Sequence, residues 1–312
     1  MPARREDGVA LLTAVMVTAL AATLVAGLLV AQNLSIHRAT NMRSMDAAWW
    51  YLIGLEEWAG SILRRDAEDS TFDGLDELWA TPIDFLPVDE GALSGRIIDL
   101  NGRFNLNTLA TADAEVALAQ FQRLLAAIPN LGDANPAALA AQIADWVDPD
   151  AEPRPLGAED ETYLSLDPPR RAANAPFASI SELRLLPDMT PELFAAIEPH
   201  VTALPIELGA RPINVNTATA PVLQSLSPEM TAADVEGLLA VRAEKSWETI
   251  DAFNVEPMMT GRTVPVAIDI QSSVFLAEGA AQIDGIRLEM QSLLFRGPDR
   301  RTRVLAHSRA PL

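Results

Sequence analysis

No cysteine occurs among the 312 residues. The chain can hold neither a disulfide framework nor a thiolate metal site. Histidine is almost as scarce. His37, His200 and His307 stand far apart, and none sits in an HExxH spacing. Each reads as a surface or structural residue rather than a ligand. Basic residues are also few, 23 against 43 acids, for a formal net charge of -20. A surface of that sign repels a phosphate backbone, which Lys and Arg must neutralise for binding. It suits cations or basic partners instead. GxSxG, the Walker phosphate loop and GxGxxG are all missing, so no catalytic constellation emerges. Acid pairs such as Glu56 and Glu57 read as surface charge on a helix.

What is present begins at the N-terminus. Met1 to Gly8 forms a short polar leader with Arg4 and Arg5, and no residue from Val9 to Val30 is charged. A run of about 22 residues makes roughly 33 Å of helix, the thickness of a bilayer core. The preceding arginines favour a cytoplasmic N-terminus, with the rest of the chain beyond the membrane. A cleaved secretory signal has only about 7–15 apolar residues, fewer than here. Two readings fit the length: a plain single-pass anchor, or a prepilin-like signal. In the second, the leader is cut after its final glycine, Gly8, and the apolar helix stays attached.

The helix is expected to continue past the membrane. Met42, Met45, Trp49, Leu52, Leu55, Ala59 and Ile62 recur at spacings of three or four, one face of an amphipathic stem. Trp49, Trp50 and Trp58 read as packing or interfacial residues.

Beyond Arg65 comes an acidic, turn-rich stretch to Glu90, then strand character in 95–107 with an Asn101-Gly102 turn. Helical patterns follow at 114–128, 136–147, 179–186, 191–201, 218–225 and 232–243, broken by a Pro- and acid-rich loop at 148–169. Thr190 and Thr231 stand where helix caps belong. Alternation returns at 264–276, 286–295 and 302–307, with a turn expected at 280–285. The economical architecture is α+β: a long N-terminal helix packed on an antiparallel sheet, with a large all-helical domain inserted into the sheet. The expected segments are a leader 1–8, a membrane helix 9–30, a stem 31–65, a first part of the sheet 66–111, an inserted domain 112–263 and C-terminal strands 264–312.

Two motifs invite functional readings. Phe104-Asn105-Leu106-Asn107-Thr108 is repeated as Ile213-Asn214-Val215-Asn216-Thr217. Asn can satisfy its own backbone and Thr can cap a helix, so the repeat reads as one strand-to-helix entry used twice. The second copy, running to Phe253, also resembles a helix-hairpin-helix module of DNA-uptake proteins. Its turn, Ser227-Pro228-Glu229-Met230-Thr231, has no glycine and carries an acid, which removes the phosphate cradle. The other motif is Asp145-Trp146-Val147-Asp148-Pro149-Asp150-Ala151-Glu152, followed by Glu159, Asp160 and Glu161. Alternate acids can converge on one hard cation such as calcium, which takes about 6–8 oxygen ligands, or can form a solvated acidic loop. The sixth position from Asp148 is Pro153 rather than Gly, so the loop is no EF-hand.

The Gly8 junction, Asp145–Asp150, Gly157-Ala158-Glu159 with Tyr163, Phe177–Leu186 and Ile213–Thr217 together resemble one family. It is the minor pseudopilin K of type II secretion (general secretion pathway protein K). Most pilins carry Glu as the fifth residue after the cut. This chain has Thr13 there, and the K-type member is the one that typically lacks that Glu. An unpaired carboxylate in lipid would be costly, which suits a first or terminal subunit. The resemblance implies cleavage after Gly8 and methylation of the Val9 amine by a prepilin peptidase. It implies an inner-membrane protein with a periplasmic body and no enzymatic activity. Its partners would be minor pseudopilins I and J, the major pseudopilin and the inner-membrane secretion platform, with no nucleic acid. Together with I and J it would initiate or cap the pseudopilus tip. It also implies bound calcium, with Asp148, Asp150, Glu159 and Asp160 as the matching acids. The alternatives from other classes are a membrane-anchored nucleic-acid receptor and an anchored calcium-dependent enzyme.

Overall fold

The computed structural model of the chain describes residues 6–129, 131–132 and 134–309, with 6–8 by backbone alone. The expected leader residues Met1 to Arg5 lie outside them. Gly8 already lies inside the helix α1, which runs unbroken from Glu6 to Asp69. Its 64 residues span roughly 96 Å at the α-helical rise. Every side chain from Val9 to Arg43 is exposed, and this half is long and apolar enough to cross a membrane. Beyond it, Ser44, Ala48, Leu52, Glu56, Ala59 and Leu63 turn inward at helical spacing.

That buried stripe is rotated from the expected one. Met42 and Met45 stay exposed, whereas Glu56, expected as surface charge, lies in the stripe between Leu52 and Ala59. Its carboxylate accepts a hydrogen bond from the Ser292 hydroxyl across the sheet. A satisfied acid can sit on a core face.

After α1 come β1 (Ile83–Val88) and β2 (Gly91–Asp99). The chain then leaves the sheet through β3 (Phe104–Asn105), α2 (Ala114–Ala127), α3 (Pro136–Val147), α4 (Asp160–Leu164) and α5 (Pro191–Ile197). It continues through β4 (Val201–Thr202), β5 (Ile213–Asn214), α6 (Ala220–Ser225), α7 (Ala232–Glu244), α8 (Ile250–Asn254) and β6 (Ile268–Asp269). It returns as β7 (Val274–Ile283), β8 (Ile286–Arg296) and β9 (Thr302–Ser308). The antiparallel sheet has the order β1-β2-β7-β8-β9.

The insertion therefore spans residues 100–273, wider at both ends than the expected 112–263. The Asn101-Gly102 turn does not close a hairpin. Phe104–Asn105 pairs in parallel with Val201–Thr202, and Ile213–Asn214 with Ile268–Asp269. The reason is packing: Phe104 and Leu106 bury in the helical core, with the Phe104 ring stacked on Phe121 at 4.9 Å. Residues 280–283, expected as a turn, stay in β7 because Ala281 and Ile283 pack against the stem. β1 went unread. An edge strand whose residues are mostly exposed has no buried face to write an alternating pattern.

Local signals hold in the helices. Asn135 caps α3 through Ala137 N and Ala138 N, and Thr190 caps α5. Thr231 caps α7, where Asp234 completes a capping box.

Direction along the stem follows from contacts. Leu93, Ala281 and Met290 pack on Ala48 and Leu52, while Ile97, Phe275 and Leu294 pack on Ala59 and Leu63. The end of β2 and the start of β7 thus face away from the apolar half of α1. The insertion is mounted on the far end of the body, opposite the anchor. A buried polar hub fastens it. Asp99 accepts from Asn101 N at 2.7 Å, Asn214 Nδ2 at 2.9 Å, and Thr217 Oγ1 and Ser272 Oγ at 2.5 Å each. Burial still pushes its carboxyl up to about 6, against the downward pull of Ser272 and Thr217.

Candidate functional site

Helix α3 ends at Val147, and the chain turns back through an acidic loop into α4. Asp145 is fully buried in the last turn of α3. It accepts from Arg154 Nη1 at 3.0 Å and from Arg154 N at 3.1 Å. The same guanidinium contacts Asp148 Oδ2. Gly157 lies so close that a Cβ there would meet Asp145 Oδ2 at 1.9 Å. Burial raises the Asp145 carboxyl despite the Arg154 bonds.

The fold brings three of the four expected ligands together. Carboxylate oxygens of Asp148, Asp150 and Glu159 lie within 4.8 Å of one another. Two oxygens sharing one calcium at about 2.3–2.6 Å each can be no more than roughly 5 Å apart. Asp148 and Glu159 are buried and Asp150 is exposed, so the group has one open side. Asp148 Oδ1 and both Glu159 oxygens are buried without a hydrogen-bond partner. Burial raises the Glu159 carboxyl, and the Asp145 and Asp148 carboxylates raise it further. Asp160 N and the Asn174 amide pull the other way but form no well-aligned bond to it. An unpaired buried carboxylate is expensive, and a hard cation would remove that cost. The residues present fit such an ion.

Asp160 is not part of the group. Its oxygens take Arg171 Nη1 at 3.0 Å and Ala172 N at 3.1 Å, tying the start of α4 to the following loop. Arg154 and Asn174, which donates to Asp150 O at 2.5 Å, went unread as site residues. Arg154 did leave a signal, being the only base between Asp145 and Tyr163. The Tyr163 ring packs edge-on against Trp146 at 5.2 Å and forms the apolar back of the site.

A second acidic group, Asp66, Asp73 and Glu77, lies at the end of the stem. It already has its cation. Arg296 Nη2 bonds Asp73 at 2.5 Å and Arg296 Nη1 bonds Asp66 at 3.1 Å. Burial, then Glu77 and Asp73, push Asp66 up to about 7 against the pull of Arg296.

At the anchor, Val9 is exposed. The Thr13 hydroxyl donates back to Val9 O at 3.0 Å and Ala10 O at 2.9 Å, so it spends its polarity within its own helix. The α6–α7 turn has its amides engaged internally: Met230 N on Ser227 O at 3.2 Å, Glu229 N on Ser227 Oγ at 3.4 Å and Thr231 N on Asp234 Oδ2 at 2.9 Å. Those N–H groups are not offered to a phosphate.

Residues 102–206 and 213–271 each match a family model described as type II secretion system protein K. Type II secretion system protein K of Pseudomonas aeruginosa is 34% identical over 97% of this chain and 92% of its own length. That of Pectobacterium carotovorum is 32% identical over 93% of this chain and 92% of its own. A chain of the GspK-GspI-GspJ complex from the enterotoxigenic Escherichia coli type 2 secretion system superposes with a TM-score of 0.75 at 28% identity. That match covers 87% of this chain and 98% of the other. With identity above 30% over nearly its whole length, this chain belongs to the type II secretion system protein K family.

Proposed function

We propose that this chain is the K-type minor pseudopilin at the tip of the type II secretion pseudopilus, where it initiates or caps assembly for export across the outer membrane. The observation that carries the tip position is the placement of the insertion. Residues 100–273 are mounted on the end of the body farthest from the anchor. A fibre fed with subunits from the membrane can carry such a bulk only at its leading end. Thr13 agrees with this, because it offers no carboxylate to the N-terminal amine of another subunit. The exposed half of α1 would be the inner-membrane anchor, with Gly8 and Val9 the cleavage and methylation sites of a prepilin peptidase and the body periplasmic. The role is one of assembly rather than catalysis.

The partners we assign are pseudopilins I and J, supported by the complex in which the superposed relative was solved. The major pseudopilin and the inner-membrane platform follow from membership in a fibre. Calcium is the ion we assign to Asp148, Asp150 and Glu159, on the strength of their unpartnered buried oxygens. It would supply charge neutralisation that fixes the loop, and no chemistry. Asp160 would hold α4 in place beside it.

The test is co-purification of the full chain, extracted in detergent, with pseudopilins I and J of the same secretion system. A stable ternary complex is expected, and a K chain that elutes alone would refute the tip role. Terbium luminescence sensitised by Trp146 and Tyr163 tests the ion separately. Saturable emission displaced by calcium is expected, and lost in Glu159→Gln.

A further inference from the structure

The sheet face turned away from α1 is only partly covered. Ile98 of β2, Leu276 of β7, Leu293 of β8 and Ala306 of β9 floor a crevice of about 760 Å³, walled by Phe177 and Ile180 of the insertion. That volume suits a bound segment, since ligand clefts run to about 300–1,000 Å³. The floor crosses four strands. At about 4.8 Å per strand this is a run of roughly 14 Å, the length of four or five extended residues.

One cation of this crevice forms no ion pair among the described residues. Arg103 lines it and is buried enough that its pKa is lowered, desolvation outweighing the pull of Glu278 and Glu198. Glu278 is taken, by Arg96 Nε at 2.6 Å and Gln291 Nε2 at 2.8 Å. Glu198 and Asp99 act on Arg103 without forming an ion pair, Arg96 opposes its charge, and nearby His200 is itself disfavoured as a cation by burial and by Arg103. A guanidinium against apolar walls is costly unless it meets an acceptor. Its place is fixed by the preceding turn. A Cβ on Gly102 would lie 2.5 Å from Thr217 Oγ1 and 2.8 Å from the Thr217 carbonyl carbon, so only glycine lets the chain pass.

We propose that this crevice binds an extended peptide segment of a partner protein, with an acidic side chain on Arg103 and apolar neighbours on the strand floor. Arg103 selects the acid, since Arg96 is already engaged by Glu278, and Ile98 and Ala306 select what flanks it. The assignment concerns this crevice alone and stands whether or not the chain occupies the pseudopilus tip.

The test uses the full chain in detergent micelles, panned with phage displaying random dodecapeptides. Enriched sequences should carry Asp or Glu between apolar residues. A fluorescent enriched peptide should bind Arg103→Gln at least tenfold more weakly, bind Arg103→Lys nearly as well as the parent, and fail to bind Ala306→Trp, which fills the floor from an exposed position. Should Arg103→Gln not fold, the Lys and Trp variants decide. No enrichment over empty micelles, enriched sequences without an acid, or equal affinity for parent and Arg103→Gln or Ala306→Trp would each overturn the proposal.

Discussion

The two copies of the Asn motif solve one structural problem in the same way and are then put to different uses. In the first, Asn107 grips Phe177, accepting from its N–H at 2.8 Å and donating to its carbonyl at 2.9 Å. In the second, Asn216 grips Trp247 with both bonds at 2.9 Å. Each aromatic residue stands two positions before a cap, Ser179 or Thr249, that starts a short helix. Each copy also closes with a two-residue parallel strand pair. The gap between the gripping Asn and its aromatic partner is 70 residues in the first copy and 31 in the second. Most of the excess falls after α3, where the first copy carries the acidic loop and the second has only Lys245 and Ser246 before Trp247. Their leading asparagines differ as well. Asn105 accepts from Leu204 N within the insertion, whereas Asn214 donates to Asp73 O and Asp99 in the body as well as to Ser272 Oγ. One copy is extended by the acidic loop, and the other is wired to the pilin-like body.

The largest break in that comparison should come from the leading asparagines. Asn214→Ala strips a donor from a fully buried carboxylate and is expected to cost about 4 kcal/mol. Asn105→Ala loses acceptor bonds to two backbone N–H groups and should cost about 1–2 kcal/mol. Denaturant unfolding of the full chain in detergent measures both. Equal losses would mean that the hub does not fasten the insertion.

The hub also makes a pH prediction. Folded Asp99 keeps its proton to about pH 6, whereas in the unfolded chain it loses it near about 3.8. Between these values the folded state binds more protons, so rising pH removes stability, by roughly 3 kcal/mol in all. Above pH 6 the loss is complete. Asp99→Asn cannot titrate, so the stability difference between parent and variant should shrink from pH 4 to pH 6 and then level off. A difference flat across that window would show that the carboxyl is not raised. No such slope is expected from the first copy, whose Asn105 and Asn107 contact no carboxylate in the bonds above.

Calcium should separate the copies in the other direction. At a hundredfold excess over Kd a bound ion stabilises by about 2.7 kcal/mol. Chelation should therefore lower protection of α3 and α4 in amide exchange and leave α6 and α7 unchanged. In chelator, Glu159→Gln should be more stable than the parent, because it removes an unpartnered buried charge.

Much of this architecture is legible from local chemistry. The charge-free run after Gly8 marks the anchor, Asn135 and Pro136 open α3, and Thr190 and Thr231 cap their helices. The acids at Asp148, Asp150 and Glu159 stand out by spacing. What stays hidden depends on partners distant in sequence. Glu56 is buried because Ser292 lies opposite, 236 positions away. The Asn motif reads as turn chemistry, yet its second asparagine is a long-range clamp. The insertion is wider than expected because Phe104 and Ile268 look like sheet residues and instead pair inside the helical domain. Asp160 resembles a ligand by position, and only the fold shows Arg171 taking it.

The smallest expected effect concerns the caps that follow the two clamped aromatics. Ser179 and Thr249 each accept from a backbone N–H at a helix start, so alanine at either should cost about 1 kcal/mol. Ser179 should cost more. Its helix has a full capping box, in which Glu182 accepts from Ser179 N at 3.3 Å and also meets Trp146 Nε1 at 3.4 Å. Trp146 backs the acidic loop, so a loosened Ser179 cap would reach an ion bound there. Thr249 has no such link. Ser179→Ala should therefore weaken terbium binding a few-fold, while Thr249→Ala leaves it unchanged. Equal terbium affinities in the two variants would confine the Ser179 cap to holding its own helix, and would place the support of the ion wholly within residues 145–174.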